Sequence, residues 1–228
     1  EKQKLFEMPR YGWAAGGLWL GGMGRNTTFS GSSLLLGGKA EGQLWLNRQW
    51  FLETGFGFGL GTSFGQTDPA TGAAVGSSAS ASMTLLKFAG GYTYFLTSDF
   101  HGPRAFVRAG YLSAAYSHPV QAAEKLAPIT FKGAFLGVGG ELPIRGKVAG
   151  YLNLDFAMLH SASSPNLTAN AVQGSSTVDL VVGGIYRYRP RLAFRVGLEV
   201  LAHSADFSGG ISVTQRTIAL LPSVEFGF

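Results

Sequence analysis

The chain contains no cysteine. Disulfide bonds, thiol chemistry and Cys-ligated metal sites are thereby excluded. It also has no run of about 20 apolar residues, so no segment reads as a transmembrane helix. That absence says nothing against a membrane protein built from strands, which are short and apolar on one face only. The four histidines, His101, His118, His160 and His203, are scattered and match no compact ligand spacing. No phosphate-binding loop or dinucleotide fingerprint precedes a helical pattern. Neither a cofactor nor a metal is expected.

What is abundant is glycine and phenylalanine: 34 and 17 of 228 residues. Glycine without a collagen period excludes a triple helix. Interspersed with Phe, Leu, Val and Tyr, it suits tilted strands crowded around an axis. The net charge is +5. On a soluble protein that balance would raise nucleic acid as a partner. Here the basic residues fall in turns or alternate to one strand face, so anionic lipid headgroups are the expected partner and nucleic acid is not.

Period-two alternation runs through almost the whole chain. Around residues 32–46, Leu34, Leu36, Ala40, Leu44 and Leu46 alternate with Lys39, Glu41 and Gln43. Around 148–158, Val148, Leu152, Leu154, Phe156 and Met158 alternate with Tyr151, Asn153 and Asp155. Ten such segments are separated by tight turns at 47–49, 97–103, 145–147 and 189–191. Wider loops at 25–31, 66–78, 118–128, 161–174 and 206–210 alternate with these turns. The first segment has mixed phase: Tyr11, Trp13 and Trp19 share one parity, Leu18 and Leu20 the other. A bulge is one explanation. In the last segment Ile218, Leu220, Val224, Phe226 and Phe228 share one face, with Phe as the final residue.

This pattern, over nearly the whole length, resembles the bacterial outer-membrane β-barrel class with its C-terminal phenylalanine signature. The expected fold is all-β, a transmembrane antiparallel up-and-down barrel of ten strands. An even count puts both termini on one side. Residues 1–9 are expected as a periplasmic tail and 10–228 as a single outer-membrane barrel, with short turns and termini periplasmic. The start Glu1-Lys-Gln-Lys fits a chain after signal cleavage. Tyr92, Tyr94, Tyr186, Tyr188, Phe226 and Phe228 then fall at one interface as an aromatic girdle. A soluble lipocalin-like barrel or sandwich would have to pack all these Phe, Leu and Tyr faces inward. That demands an oversized core. The resemblance also implies outer-membrane lipids, lipopolysaccharide and the barrel assembly machinery as partners, the last reading the terminal aromatic. Arg25, Lys125, Lys132 and Arg216 are expected at the outer rim, near lipid phosphates.

The same alternation sends Lys39, Lys87, Arg108, Arg187 and Arg195 inward, together with Glu41, Glu53, Glu141, Asp155, Asp179, Glu199 and Glu225. These twelve are the candidate lumen residues. Charge is costly on a lipid face, whereas inside it hydrates or pairs. Inward glycines at 55, 57, 59, 91, 110, 137, 139, 183 and 197 either leave open volume or make room for neighbouring large side chains. Three functions follow. One is a narrow pore or facilitator for small polar or ionic solutes. A second is a plugged structural or surface-interaction barrel. The third is a lipid-modifying hydrolase. No catalytic residue is assigned. His160-Ser161 and His203-Ser204 are adjacent pairs, and adjacent strand residues point to opposite faces. His160 and Ser163 depart from the His-x-Ser spacing of lipid A deacylases. Both histidines are expected at the outer rim.

Overall fold

The computed structural model describes residues 11–26, 30–68, 70–74, 79–117, 128–157, 160–163, 172–208 and 210–228. The tail expected at 1–9 lies outside them, as do His118 and Lys125. Eleven strands follow in chain order: β1 Gly12–Asn26, β2 Ser30–Trp45, β3 Trp50–Thr67, β4 Ala79–Phe95, β5 Arg104–Ser117, β6 Ile129–Arg145, β7 Val148–Ala157, β8 His160–Ser163, β9 Val172–Arg189, β10 Leu192–Phe207 and β11 Ile211–Gly227. Among the described residues there is no helix. β7 and β8 both pair with β6 and share one position in the wall, so the segments build a closed antiparallel barrel of ten strands.

Closure occurs where β1 meets β11. There Tyr11 N donates to Phe228 O at 2.9 Å, and Phe228 N donates to Gly12 O at 3.1 Å. The stagger can be followed residue by residue. From Gly12 the direct partners run Leu44, Leu52, Gly90, Ala109, Leu136, Phe156, Val178, Ala202, Arg216 and back to β1 at Gly24, a shear of 12 residues. With ordinary strand spacing and rise, ten strands at this shear tilt by about 40° and enclose a backbone cylinder of about 10 Å radius. Long side chains reach the axis of such a cylinder.

At the termini end the connections are short. Gly146 takes φ 55, the left-handed region glycine enters without penalty, so Arg145 and Val148 join through two residues. Asn47 Oδ1 accepts from Gln49 N and Trp50 N, both at 2.8 Å, fixing the β2–β3 turn.

The outer face carries a continuous apolar band, including Leu34 (73% exposed), Leu136 (70%) and Val107 (57%). Tyr94, Tyr186, Tyr188, Phe226 and Phe228 are exposed on its termini side. The band does not cover the full height. In β4, Leu86, Phe88 and Tyr94 face out, but nearer the loops the same face carries Ser82 and Thr84. Ser113, Thr130, Lys132, Ser204, Thr214 and Arg216 continue this polar collar.

Inside, the order is reversed. Behind the polar collar sit Met83 and Phe131, and below them Leu112, Leu201 and Trp19 continue the apolar packing down to the level of the charges, all at most 1% exposed. Behind the apolar band lie the charges. The first strand needs no bulge within this phase: Trp13, Ala15, Trp19 and Met23 face in, and Leu18 faces out. The inward glycines supply room. A Cβ at Gly57 would stand 2.8 Å from the Trp19 ring, and one at Gly59 2.5 Å from Leu35. Added Cβ atoms at Gly91, Gly183 and Gly197 would meet Phe51 or Tyr151.

Gly57→Leu is therefore expected to destabilise the barrel by about 1–3 kcal/mol through overpacking against Trp19. Gly16→Ala, with nothing within 4 Å of its added Cβ, is expected to be neutral or slightly stabilising. Urea unfolding of the refolded protein in lipid vesicles measures the difference.

Candidate functional site

Each inward charge sits on a strand whose alternate residues form the apolar outer band, so the pleat fixes its direction. The register then brings charges from different strands together. Asp155 on β7 and Asp179 on β9 are direct cross-strand partners. Lys87 reaches across from β4 to form an ion pair with Asp155, and its Nζ lies 3.4 Å from Asp179 Oδ2. Arg108 on β5 joins the same cluster. Its Nε donates to Asp155 Oδ1 at 2.8 Å, and its Nη1 donates to Glu53 Oε1 at 2.7 Å. Lys39 pairs with Glu41 at 3.0 Å and Glu199 at 2.5 Å. A carboxylate shared by two cations suits this low-dielectric interior, where an unpaired charge is costly.

Nearer the turns, Glu141 is held between Arg104, at 2.8 Å, and Arg187. Arg195 pairs with Glu225 at 3.3 Å and stacks over the Trp13 and Tyr151 rings at 5.0 and 4.6 Å. All twelve candidate lumen residues thus fall into these clusters, whose partners are one another plus Arg104. Arg104 is a basic residue the sequence reading omitted, although it shares strand parity with Arg108.

A chamber of about 830 Å³, open solvent at its mouth included, extends from the turns inward as far as Lys39, Lys87 and Asp179. Its mouth is lined by Trp13, Trp45, Arg48, Phe100 and Arg104. Trp13 and Trp45 both donate to Gln43 Oε1, at 3.1 and 2.9 Å, which holds the two indoles in place. Beside them His101 is half-buried, and its Nδ1 has no hydrogen-bond partner among the described residues. Burial, with the Arg187 and Arg104 guanidiniums, lowers its imidazole to about 4.

Toward the loops a polar row crosses the apolar interior. Arg25, Gln215, His203 and Thr177 are consecutive direct partners on β1, β11, β10 and β9. Arg25 Nε donates to Gln215 Oε1 at 2.7 Å, and Thr177 Oγ1 lies 2.6 Å from His203 Nδ1. The Phe131 ring stacks on His203 at 4.6 Å, with Tyr116 edge-on at 5.6 Å. Two expectations are corrected here. Arg25 is 3% exposed and cannot meet lipid phosphates, and His203 is 1% exposed rather than at the rim. Both side chains follow the inward parity of their strands, which holds through these positions. The His160 side chain lies outside the described residues. Lys132 and Arg216 are exposed on the outer collar.

Two substitutions test the electrostatics. Asp155→Asn removes the carboxylate shared by Lys87 and Arg108, and is expected to cost about 3–5 kcal/mol in unfolding free energy. Lys147→Gln, on an exposed turn, is expected to stay within about 0.5 kcal/mol. His101 gives a pH signature. Its ring is neutral in both states well above pH 6.5, and between 6.5 and about 4 only the unfolded chain gains the proton. Stability is therefore expected to fall as pH drops through that window and to level off below it. His101→Gln should remove that component of the unfolding-midpoint-versus-pH curve.

No family model matches the chain, and no curated protein sequence matches it. Solved structures do. The chain is similar to the outer-membrane protease OmpT from Escherichia coli, with TM-score 0.60 and 11% identity over 96% of this chain and 97% of that one. It is also similar to the β domain of the Bordetella autotransporter BrkA, with TM-score 0.51 and 14% identity over 96% of this chain and 100% of that one. At such identities the likeness is one of architecture: the chain has the closed antiparallel barrel fold seen in bacterial outer-membrane proteins.

Proposed function

We propose that the chain is an outer-membrane barrel held shut by its own side chains, with a structural or surface-interaction role. The observation that carries this reading is the apolar packing that fills the interior from the level of Trp19 toward the loops. Trp19, Met83, Leu112, Phe131 and Leu201 are essentially inaccessible, and the glycines beside them make room for side chains instead of leaving a passage. The outer apolar band supports insertion in a bilayer, since an exposed apolar surface of this extent needs a non-aqueous neighbour. Short turns and both termini face the periplasm in this reading. The collar cations Lys132 and Arg216 would meet lipopolysaccharide phosphates, and Phe228 would present the terminal aromatic to the assembly machinery.

A second reading, a narrow pathway for small polar or ionic solutes, has the turn-side chamber in its favour. It requires the apolar plug to move. A hydrolase reading has less support. His203 is enclosed by Phe131, Tyr116 and Thr177, away from any substrate. What OmpT does as a protease does not carry over through a fold alone.

Planar-bilayer recording of refolded protein separates the first two. The wild-type chain is expected to show no steady discrete conductance across salt and voltage, while Trp19→Ala combined with Phe131→Ala should raise conductance. Steady wild-type channels, reduced by Gly57→Leu, would sink the occluded-barrel reading.

A further inference from the structure

The chain's positive charge is gathered at one end of the barrel. Arg48 in the β2–β3 turn reaches the β4–β5 turn, which Arg104 follows, and Arg145 and Lys147 flank the β6–β7 turn. Arg187, Arg189, Arg191 and Arg195 surround the β9–β10 turn. Among the described residues at this end, the carboxylates Asp99, Glu141 and Glu225 stand against these eight cations, an excess of five. Glu141 neutralises part of Arg104 and Arg187, and Glu225 part of Arg195. Arg189 and Arg191 are exposed and form no ion pair among the described residues.

Four of these arginines converge. Arg104, Arg187, Arg189 and Arg191 line a recess of about 380 Å³, open solvent included, together with Trp13, Trp45, Phe100 and His101. One carboxylate, Glu225, shares the lining. Arg104 already lies 5.4 Å from the Phe100 ring centre, and Phe100 packs edge-on against Trp45 at 4.7 Å. The unpartnered His101 Nδ1 stands in the same recess. Deeper in the barrel the balance changes sign. Lys39, Lys87 and Arg108 face Glu41, Glu53, Asp155, Asp179 and Glu199. An anion drawn to the mouth would therefore be stopped there.

We propose that this recess is a binding site for a small polyanion carrying two or more phosphate or carboxylate groups, which enters from the turn side. Guanidiniums supply paired donors matched to such oxygens, and the aromatic walls exclude water from them. The site does not depend on whether the barrel conducts.

The test uses full-length refolded protein in nonionic detergent, titrated with inorganic pyrophosphate in one arm and citrate in another at constant ionic strength. Tryptophan fluorescence is the readout, assigned with Trp13→Phe and Trp45→Phe. A saturable change with either anion is expected. Pyrophosphate alone would identify phosphate as the chemistry, and citrate alone carboxylate. R189Q/R191Q, whose side chains hold no ion pair in the fold, should weaken binding at least tenfold while keeping the heat-modifiable gel migration of a folded barrel. K132Q, on the far collar, should leave affinity unchanged. Absence of saturation, an equal response to chloride, or unchanged affinity in the folded double variant would overturn the proposal.

Discussion

Everything inside this molecule depends on the hydrogen-bonded seam between β1 and β11. Once Phe228 and Gly12 exchange backbone hydrogen bonds, strand number and shear are set, and so is the volume available to inward side chains. A cylinder of about 10 Å radius is too narrow to line with bulky residues on every strand and too wide to fill with alanines. The sequence meets that constraint by pairing large residues with glycines. Trp19 lies against Gly57, Leu35 against Gly59, and Phe51 against Gly91. Each glycine leaves a side chain from a strand one or two places away room to cross toward the axis. The glycine content is thus a packing device as much as a conformational one.

The barrel is two solvent problems stacked along one axis. Where the outer face is apolar, charges can be carried only inside, and they are stable there because each carboxylate has at least one cation within reach. Where the outer face turns polar, at Ser82, Thr84, Ser113 and Thr130, the inner face becomes apolar like the core of a water-soluble barrel. The changeover in β4 takes three residues, with Leu85 and Lys87 both inward and Leu86 outward between them. Trp19 stands at the boundary, level with Lys87 and Asp179, while Met83 and Phe131 lie nearer the loops. A charge between Met83 and Phe131 would lose its solvation with no counter-charge beside it. The polar row at Arg25, Gln215, His203 and Thr177 is tolerated at that height because its members are register neighbours, Arg25 donating to Gln215 and Thr177 bonding His203 Nδ1.

The fold was legible because period-two alternation and the short-turn, long-loop rhythm are local properties of the chain. Parity alone also gave the direction of charges such as Lys39, Asp155 and Glu199. Their partners were not legible, because a contact such as Lys87 with Asp155 spans β4 to β7 and depends on shear, a property of the closed sheet. The apolar plug was missed for a different reason. Met83, Leu112 and Leu201 share parity with Lys87, Arg108 and Glu199, so a reading that expected one chemical character per face had no place for them. The signal was present. Along β4 the inward face passes from Met83 and Leu85 to Lys87, while the outward face passes from Ser82 and Thr84 to Leu86. Such a reversal of polarity without a change of phase marks a change in what surrounds the wall.

Charge placement adds a direction to a molecule whose wall is otherwise close to symmetric. The charged interior is acidic on balance and the turn-side mouth basic. Buried ion pairs contribute little net stability against well-packed apolar alternatives, and packing of the loop half shows that this chain has such alternatives available. Retention of the charged cluster below the plug therefore argues for a role in which polarity matters, either in excluding small anions from the interior or in holding water there. Those roles need an approach from the turn side only, which is the side where the chamber opens. The plug and the charges then divide the interior: aromatic and aliphatic side chains close the loop end, and paired charges line the half toward the turns.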